Sequence, residues 1–144
     1  METLIEIMRK VLADTFAMYL KTHNYHWNVE GPDFSQHHDF FGKLYEELYG
    51  AVDPIAEEIR ALDAYAPGSF SRFLELTEIE DETNIPMARE MIIKLLRDNE
   101  TVLNTLNVAF KLADQFDKQG LADFIAGRID AHNKHGWMLR SFTK

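Results

Sequence analysis

The chain has 144 residues, 46% of them hydrophobic and 27% charged, the balance of one globular domain with a sizeable core. Its 24 acidic against 15 basic residues give a net charge of −9, which disfavours nucleic acid and anionic membranes as partners and favours cations. The absence of cysteine excludes disulfides, thiolate metal sites and thiol catalysis, and no apolar run reaches membrane-spanning length. The opening Met1-Glu2-Thr3-Leu4-Ile5-Glu6 lacks the basic stretch that begins a secretory signal, so a cytoplasmic location is expected.

Four long segments carry helical periodicity. The first, about residues 2 to 29, spaces Leu4, Met8, Val11, Thr15, Met18 and Thr22 along one face. Gly31-Pro32-Asp33 breaks it, with Asp33 placed to cap a second helix and Gln36 in the reciprocal capping position. The second helix runs to about Asp63 on a stripe of Phe41, Leu44, Tyr45, Leu48, Val52, Ile55, Ile59 and Leu62. That spacing continues through Pro54, so the proline is expected to kink the helix rather than end it. Ala66-Pro67-Gly68-Ser69 reads as a loop, and residues 71 to 76 as a turn or two of helix. A third long helix begins near Asn84-Ile85-Pro86 and carries Met91, Leu95, Val102, Leu106, Ala109 and Ala113. Gly120 marks a break, and a fourth long helix runs from about Leu121 to Phe142, burying Leu121, Ile125, Ile129 and Leu139. Period-two runs and Asn-Gly hairpins are missing. The expectation is a single all-α domain over residues 1–144, a four-helix bundle. The connection between its second and third long helices, about 20 residues, is long enough to cross the bundle and carry a short extra helix.

Four residues stand out chemically: His26, His38, Asp53 and Glu57. Imidazole with carboxylate suits ferrous iron, manganese or zinc. Asp53 and Glu57 are one helical turn apart on one face, where two carboxylates repel unless a cation or proton lies between them. His26 ends the first helix and His38 begins the second, so the intervening turn can bring the rings together. His38 and Asp53, however, lie about 22 Å apart along one helix, against metal bonds of about 2 Å. One chain therefore cannot use both ends of that helix on one ion. A two-fold partner whose second helix runs antiparallel can lay its own Asp53 and Glu57 beside these histidines. At about 100° per residue, Asp53 and Glu57 point away from the apolar stripe, out of their own bundle. A solvated acidic face gives the same pattern, so spacing alone leaves both readings open. His23 suits a surface place or one behind the ligands as well as it suits a ligand. Of the adjacent His37 and His38, at most one joins a site. His132 falls on the apolar stripe of the last helix and reads as a core histidine, His135 as an exposed one. Trp27 and Trp137 are expected to fill core or interface space, and Trp27, next to His26, can wall off an oxidising metal.

The segment Lys21-Thr22-His23-Asn24-Tyr25-His26-Trp27-Asn28-Val29-Glu30-Gly31-Pro32-Asp33-Phe34 resembles the Dps family of mini-ferritins. So do His38, Asp53-Pro54-Ile55-Ala56-Glu57-Glu58 and the ending Arg128-Ile129-Asp130-Ala131-His132-Asn133-Lys134-His135-Gly136-Trp137-Met138-Leu139-Arg140, so that nearly the whole chain is covered. The resemblance implies a ferritin-like bundle and a hollow homododecamer. It also implies ferroxidase centres at two-fold interfaces, with His26 and His38 as ligands from one subunit and Asp53 and Glu57 from the other. Ferrous iron is oxidised there by hydrogen peroxide or dioxygen, and ferric mineral is stored inside, which limits oxidative damage. Trp27 and Trp137 match tryptophans that take up oxidising equivalents, and Asp114 and Asp123 match acidic pore positions. One departure stands out. An acidic residue often follows the second histidine by four positions, and here that position is Gly42. Two other readings are a shell that condenses DNA, which the acidic charge and immediate first helix disfavour, and a shell binding another divalent metal.

Overall fold

The computed structural model describes residues 1–144 as five helices with no strand: α1 (Glu2–Asn28), α2 (Phe34–Ala61), α3 (Phe70–Leu76), α4 (Ala88–Gln115) and α5 (Gln119–Ser141). The four long helices are the expected bundle, and α3 is the short helix on the crossover. α1 and α2 form one hairpin, α4 and α5 the other, and α1 packs against α2, α3 and α4. The core is continuous, with Leu4, Met8, Met18 and Tyr25 of α1 sealed against Phe41, Leu48, Ile55 and Ile59 of α2 and Met91, Leu95, Val102 and Leu106 of α4.

The helix ends depart from expectation for local reasons. Asp33 stands at the start of α2 in a left-handed conformation (φ 62°) and makes no side-chain cap, so the capping pair with Gln36 does not form. α2 passes through Pro54 unbroken and stops at Ala61, just before Asp63 takes a positive φ of 63°. The third long helix starts at Ala88 rather than near Asn84, and Asn84-Ile85-Pro86 lies in the irregular approach. Gly120 is inside the first turn of α5, and the break falls earlier, where Asp117 takes a φ of 58°. The α3 start is capped by the Ser69 hydroxyl, which accepts from the Arg72 amide at 3.3 Å.

The crossover is anchored on one face of α1 by three polar side chains at positions 14, 21 and 25. Asp14, fully buried, accepts from the Thr77 hydroxyl (2.7 Å), the Glu78 amide (3.0 Å) and the Thr105 hydroxyl of α4 (2.8 Å). Lys21 is paired with the buried Asp98 of α4 at 3.0 Å and donates to the Glu80 carbonyl at 2.9 Å. The Tyr25 hydroxyl donates to Glu82 at 2.6 Å, and Lys94 donates to the same carboxylate at 2.9 Å. A buried carboxylate or ammonium is costly unless such partners replace its water, so these side chains hold residues 77–82 in one track along α1. Asp14→Ala removes the acceptor for three donors at once and is expected to lower unfolding stability by about 3 kcal/mol. Calorimetry reads this directly, and an unshifted melting temperature would contradict it.

A second polar cluster joins α2 to α5. Arg128 makes a two-pronged contact with Glu47 (2.6 and 3.0 Å), and His135 Nε2 donates to the same carboxylate at 2.7 Å. His135 is therefore buried, not exposed as its sequence position suggests. Burial pushes the Glu47 carboxyl up, but the hydrogen bonds from His135 and Arg128, with the Arg128 charge, outweigh it and leave it far below the usual carboxylate range. His132, fully buried as expected, accepts from Arg128 at Nε2 (3.3 Å) and donates from Nδ1 to Asn99 (2.8 Å). Burial first, and then Arg128 and His135, hold it well below the ordinary histidine value. On unfolding this imidazole regains its usual affinity for a proton, so below about pH 6.5 the unfolded chain binds the extra proton and stability falls as pH drops. Urea unfolding of metal-free protein at fixed concentration is expected to show a lower midpoint at about pH 5.5 than at about pH 7.5, with His132→Asn flattening the difference. A wild-type midpoint independent of pH over that range would refute this.

Candidate metal centre

His26 sits in the last turn of α1, where the final carbonyls have no helical partner, and His38 in the first turns of α2. The two residues lock together reciprocally: His26 Nδ1 lies 2.7 Å from the His38 carbonyl oxygen, and His38 Nδ1 lies 2.7 Å from the His26 carbonyl oxygen. A carbonyl only accepts, so each Nδ1 is the protonated nitrogen and each Nε2 keeps a lone pair for a metal. The rings stack with centroids 3.8 Å apart and planes 17° apart. Imidazole bonds a metal in its ring plane. The two Nε2 lone pairs therefore lie in separate, nearly parallel planes, and both rings would be available to hold metal.

Gly42, one turn after His38, is part of this arrangement. A Cβ at that position would lie 3.1 Å from Cε1 and 3.2 Å from Nδ1 of His26, so any other residue would require the ring to give by a few tenths of an ångström. Phe34 stacks on the far side of His38 at 5.1 Å, and Tyr45 stands 5.2 Å from His26. Tyr45, which the periodicity places in the core stripe, is only half-buried and faces this pair and His23 instead. Tyr19 and Tyr49 escaped the sequence reading, and Tyr45 entered it only as a core residue. Their signal is positional: Tyr19 is one turn before His23 on α1, and Tyr45 and Tyr49 lie on the α2 line that joins His38 to Asp53.

Asp53 and Glu57 are both exposed and engage in no ion pair or hydrogen bond through their side chains. No three His, Asp or Glu side chains within the chain converge to hold a metal. The structure thus brings His26 and His38 together and leaves Asp53 and Glu57 facing outward on the same helix. Trp27 is 59% exposed with its ring tilted against that of His23 at 4.0 Å, and Trp137 is 61% exposed on α5, so neither tryptophan fills the core of its own chain. Asp114 at the end of α4 and Asp123 in the first turns of α5 are both exposed. Beside Trp27, an apolar groove of about 520 Å³ runs between α1 and α3, lined by Leu20, Phe70, Phe73 and Leu74 among others.

Residues 5–144 match the family model of the ferritin-like domain. The DNA protection during starvation protein 2 of Bacillus anthracis is 33% identical over 138 residues, which are 96% of this chain and 94% of that relative. A solved Dps protein from Bacillus brevis superposes with a TM-score of 0.95 at 30% identity, covering 99% of this chain and 96% of that one. A Vibrio cholerae Dps protein, described as belonging to a broad superfamily of ferritin-like diiron-carboxylate proteins, gives a TM-score of 0.95 at 27% identity, over 99% and 90% of the two chains. The fold is that of a ferritin-like protein. Within that class, the chain belongs to the Dps family of mini-ferritins.

Gly42→Ala puts a Cβ 3.1 Å from the His26 ring and is expected to shift that ring slightly, straining its bond to the His38 carbonyl. Affinity for cobalt(II), followed by its visible absorption, is expected to fall about 10-fold, the scale for disturbing a ligand's outer hydrogen bond. A variant that titrates like the parent would show that the close fit is immaterial.

Proposed function

We propose that this protein oxidises ferrous iron with hydrogen peroxide or dioxygen at centres shared between two-fold related subunits. The ferric product is stored as mineral inside a hollow shell, a homododecamer. In each centre, Nε2 of His26 and Nε2 of His38 meet the partner's Asp53 and Glu57. The observation that carries this reading is the reciprocal histidine lock. Two half-buried hydrogen bonds orient two nitrogens suited to metal, yet the same chain offers no third ligand. Membership of the ferritin-like family supports iron as the metal. The length of α2 supports the shared centre, because about 22 Å separates its histidine end from its acid end. The exposed apolar groove next to Trp27 supports a second subunit on that side of the bundle.

The chemistry follows from the donor set. Imidazole suits ferrous iron, while hard carboxylate oxygens favour the ferric product, so binding itself biases the substrate toward oxidation. Two ferrous ions give one electron each to a peroxide, which takes up two protons and leaves as two waters. Asp114 and Asp123, repeated around symmetry axes of the shell, give an acidic entrance that draws cations inward, and Trp27 and Trp137 take up stray oxidising equivalents. With a charge of −9 per chain, DNA is not expected as a partner. Replacing both Asp53 and Glu57 with Ala is expected to slow stopped-flow ferrous oxidation by about 100-fold or more while leaving the helical circular dichroism intact. Undiminished oxidation in that double variant would remove the acids from the centre.

A further inference from the structure

Two ferrous ions at one centre bring four positive charges, and the donors assigned so far are two imidazoles and two carboxylates. Paired metal ions in proteins stand about 3.5–4 Å apart, so a further donor for the second ion has to lie close beside the histidines. On α2, the face that carries Asp53 and Glu57 also carries Glu46. Glu46 and Asp53 are seven residues apart, within about 20° of two full turns, so they share one line along the helix. Glu46 is exposed, and its carboxylate engages in no ion pair or hydrogen bond. Its neighbours are committed elsewhere. Glu47 is held by Arg128 and His135, and Lys43, the cation nearest in sequence, pairs with Asp39 at 3.9 Å.

On this face only Gly42 stands between Glu46 and the histidines. A helical side chain lies over the turn before its own Cα, which places Glu46 over Gly42. With no side chain at position 42, the carboxylate has a clear path along the helix toward the His26 ring. That ring is near: its Cε1 would lie 3.1 Å from a Cβ on residue 42, and Cε1 is bonded directly to Nε2, the nitrogen with the free lone pair. Tyr45, the residue before Glu46, has its ring 5.2 Å from the same imidazole. Cβ positions one turn apart are about 5–6 Å from each other, a gap that a glutamate side chain and a metal bond of about 2 Å together span.

We propose that Glu46 is a metal ligand, the carboxylate that holds a second divalent cation on the His26 side of the centre. This rests on the shared-centre reading above and supplies from the next turn the acid that position 42 lacks. The consequence is electron balance. With two ferrous ions in place, peroxide takes one electron from each and, with two protons from solvent, leaves as two waters. With one ion in place, the same peroxide and one proton give ferric iron, one water and a hydroxyl radical. Glu46 thus decides how many electrons meet each peroxide.

Cobalt(II) binding to the assembled, iron-free protein tests this by titration calorimetry and visible absorption. The ions that count are those lost when His26 and His38 are both changed to Ala. Each subunit contributes one histidine pair, and the parent is expected to bind two such ions per subunit. Glu46→Gln keeps the length of the side chain and removes its charge. It is expected to bind one, with the affinity and absorption of the first ion retained. Glu46→Asp keeps the charge on a shorter arm and is expected to bind the second ion more weakly than the parent, a loss that a general charge effect would not give. Glu100→Gln, at an exposed site on α4, is expected to keep both. Light scattering and circular dichroism verify that each variant is assembled and folded. Given two ferrous ions per subunit and then peroxide, Glu46→Gln is expected to release hydroxyl radical to a spin trap where the parent does not. If the parent binds one such ion per subunit, or Glu46→Gln binds two with the parent's affinity, this assignment fails and the shared centre stands. If changing both histidines removes no cobalt, both fail.

Discussion

The site depends on two hydrogen bonds of 2.7 Å, each from the Nδ1 of one histidine to the backbone carbonyl of the other. They join the last turn of α1 to the first turns of α2, so the same contacts close the hairpin and set the tautomer of both rings. A histidine that donates from Nδ1 to a carbonyl has one remaining option at Nε2, to accept a proton or bind a metal. Gly42 lets the His26 ring pack close against α2, since a Cβ at that position would lie 3.1 Å from its Cε1. The residue that looks like a lost acid in the sequence is, in the structure, a place against which the His26 ring packs closely.

The rest of the fold keeps α1 where that lock needs it. Asp14, Lys21 and Tyr25 present polar groups along one line of α1, and the crossover runs beside them through Thr77, Glu78, Glu80 and Glu82. These contacts bind α1, the crossover and α4 together without using the face of α1 that carries His23 and His26. On the opposite side of α2, Arg128, Glu47 and His135 tie α5 to the middle of the helix whose two ends hold His38 and the Asp53–Glu57 pair. The rise of α2 keeps its histidine end and its acid end about 22 Å apart, so one chain's side chains at the two ends cannot meet on a single ion.

Much of this was legible in the sequence, and the illegible part has physical causes. The four long helices follow from apolar spacing alone, and the outward face of Asp53 and Glu57 from the helical repeat. The start of α4 at Ala88 was not legible, because Pro86 imitates a helix start while the preceding segment is held along α1 by contacts with residues distant in sequence. The Asp33 cap failed because the turn after Gly31 puts that residue in a left-handed conformation, not the extended one of a capping residue, and its side chain makes no cap bond. The burial of His135 comes from Glu47 on another helix and leaves no local trace. The contacts of Tyr19 and Tyr45 with His23 were invisible for the same reason, since Tyr19 with His23 and Tyr45 with Tyr49 are each an ordinary one-turn pair until α1 and α2 come together.

The central claim is that histidines from one subunit and acids from another complete one centre, and mixed assembly tests it most directly. Subunits lacking His26 and His38 can be co-assembled with subunits lacking Asp53 and Glu57, all four positions being changed to Ala. Each parent assembly alone is expected to be inactive. In an equal mixture, random pairing across two-fold axes rebuilds about a quarter of the centres from intact halves, and ferrous oxidation should return to that share of the unmodified rate. A mixture as inactive as its two parents would contradict the shared centre.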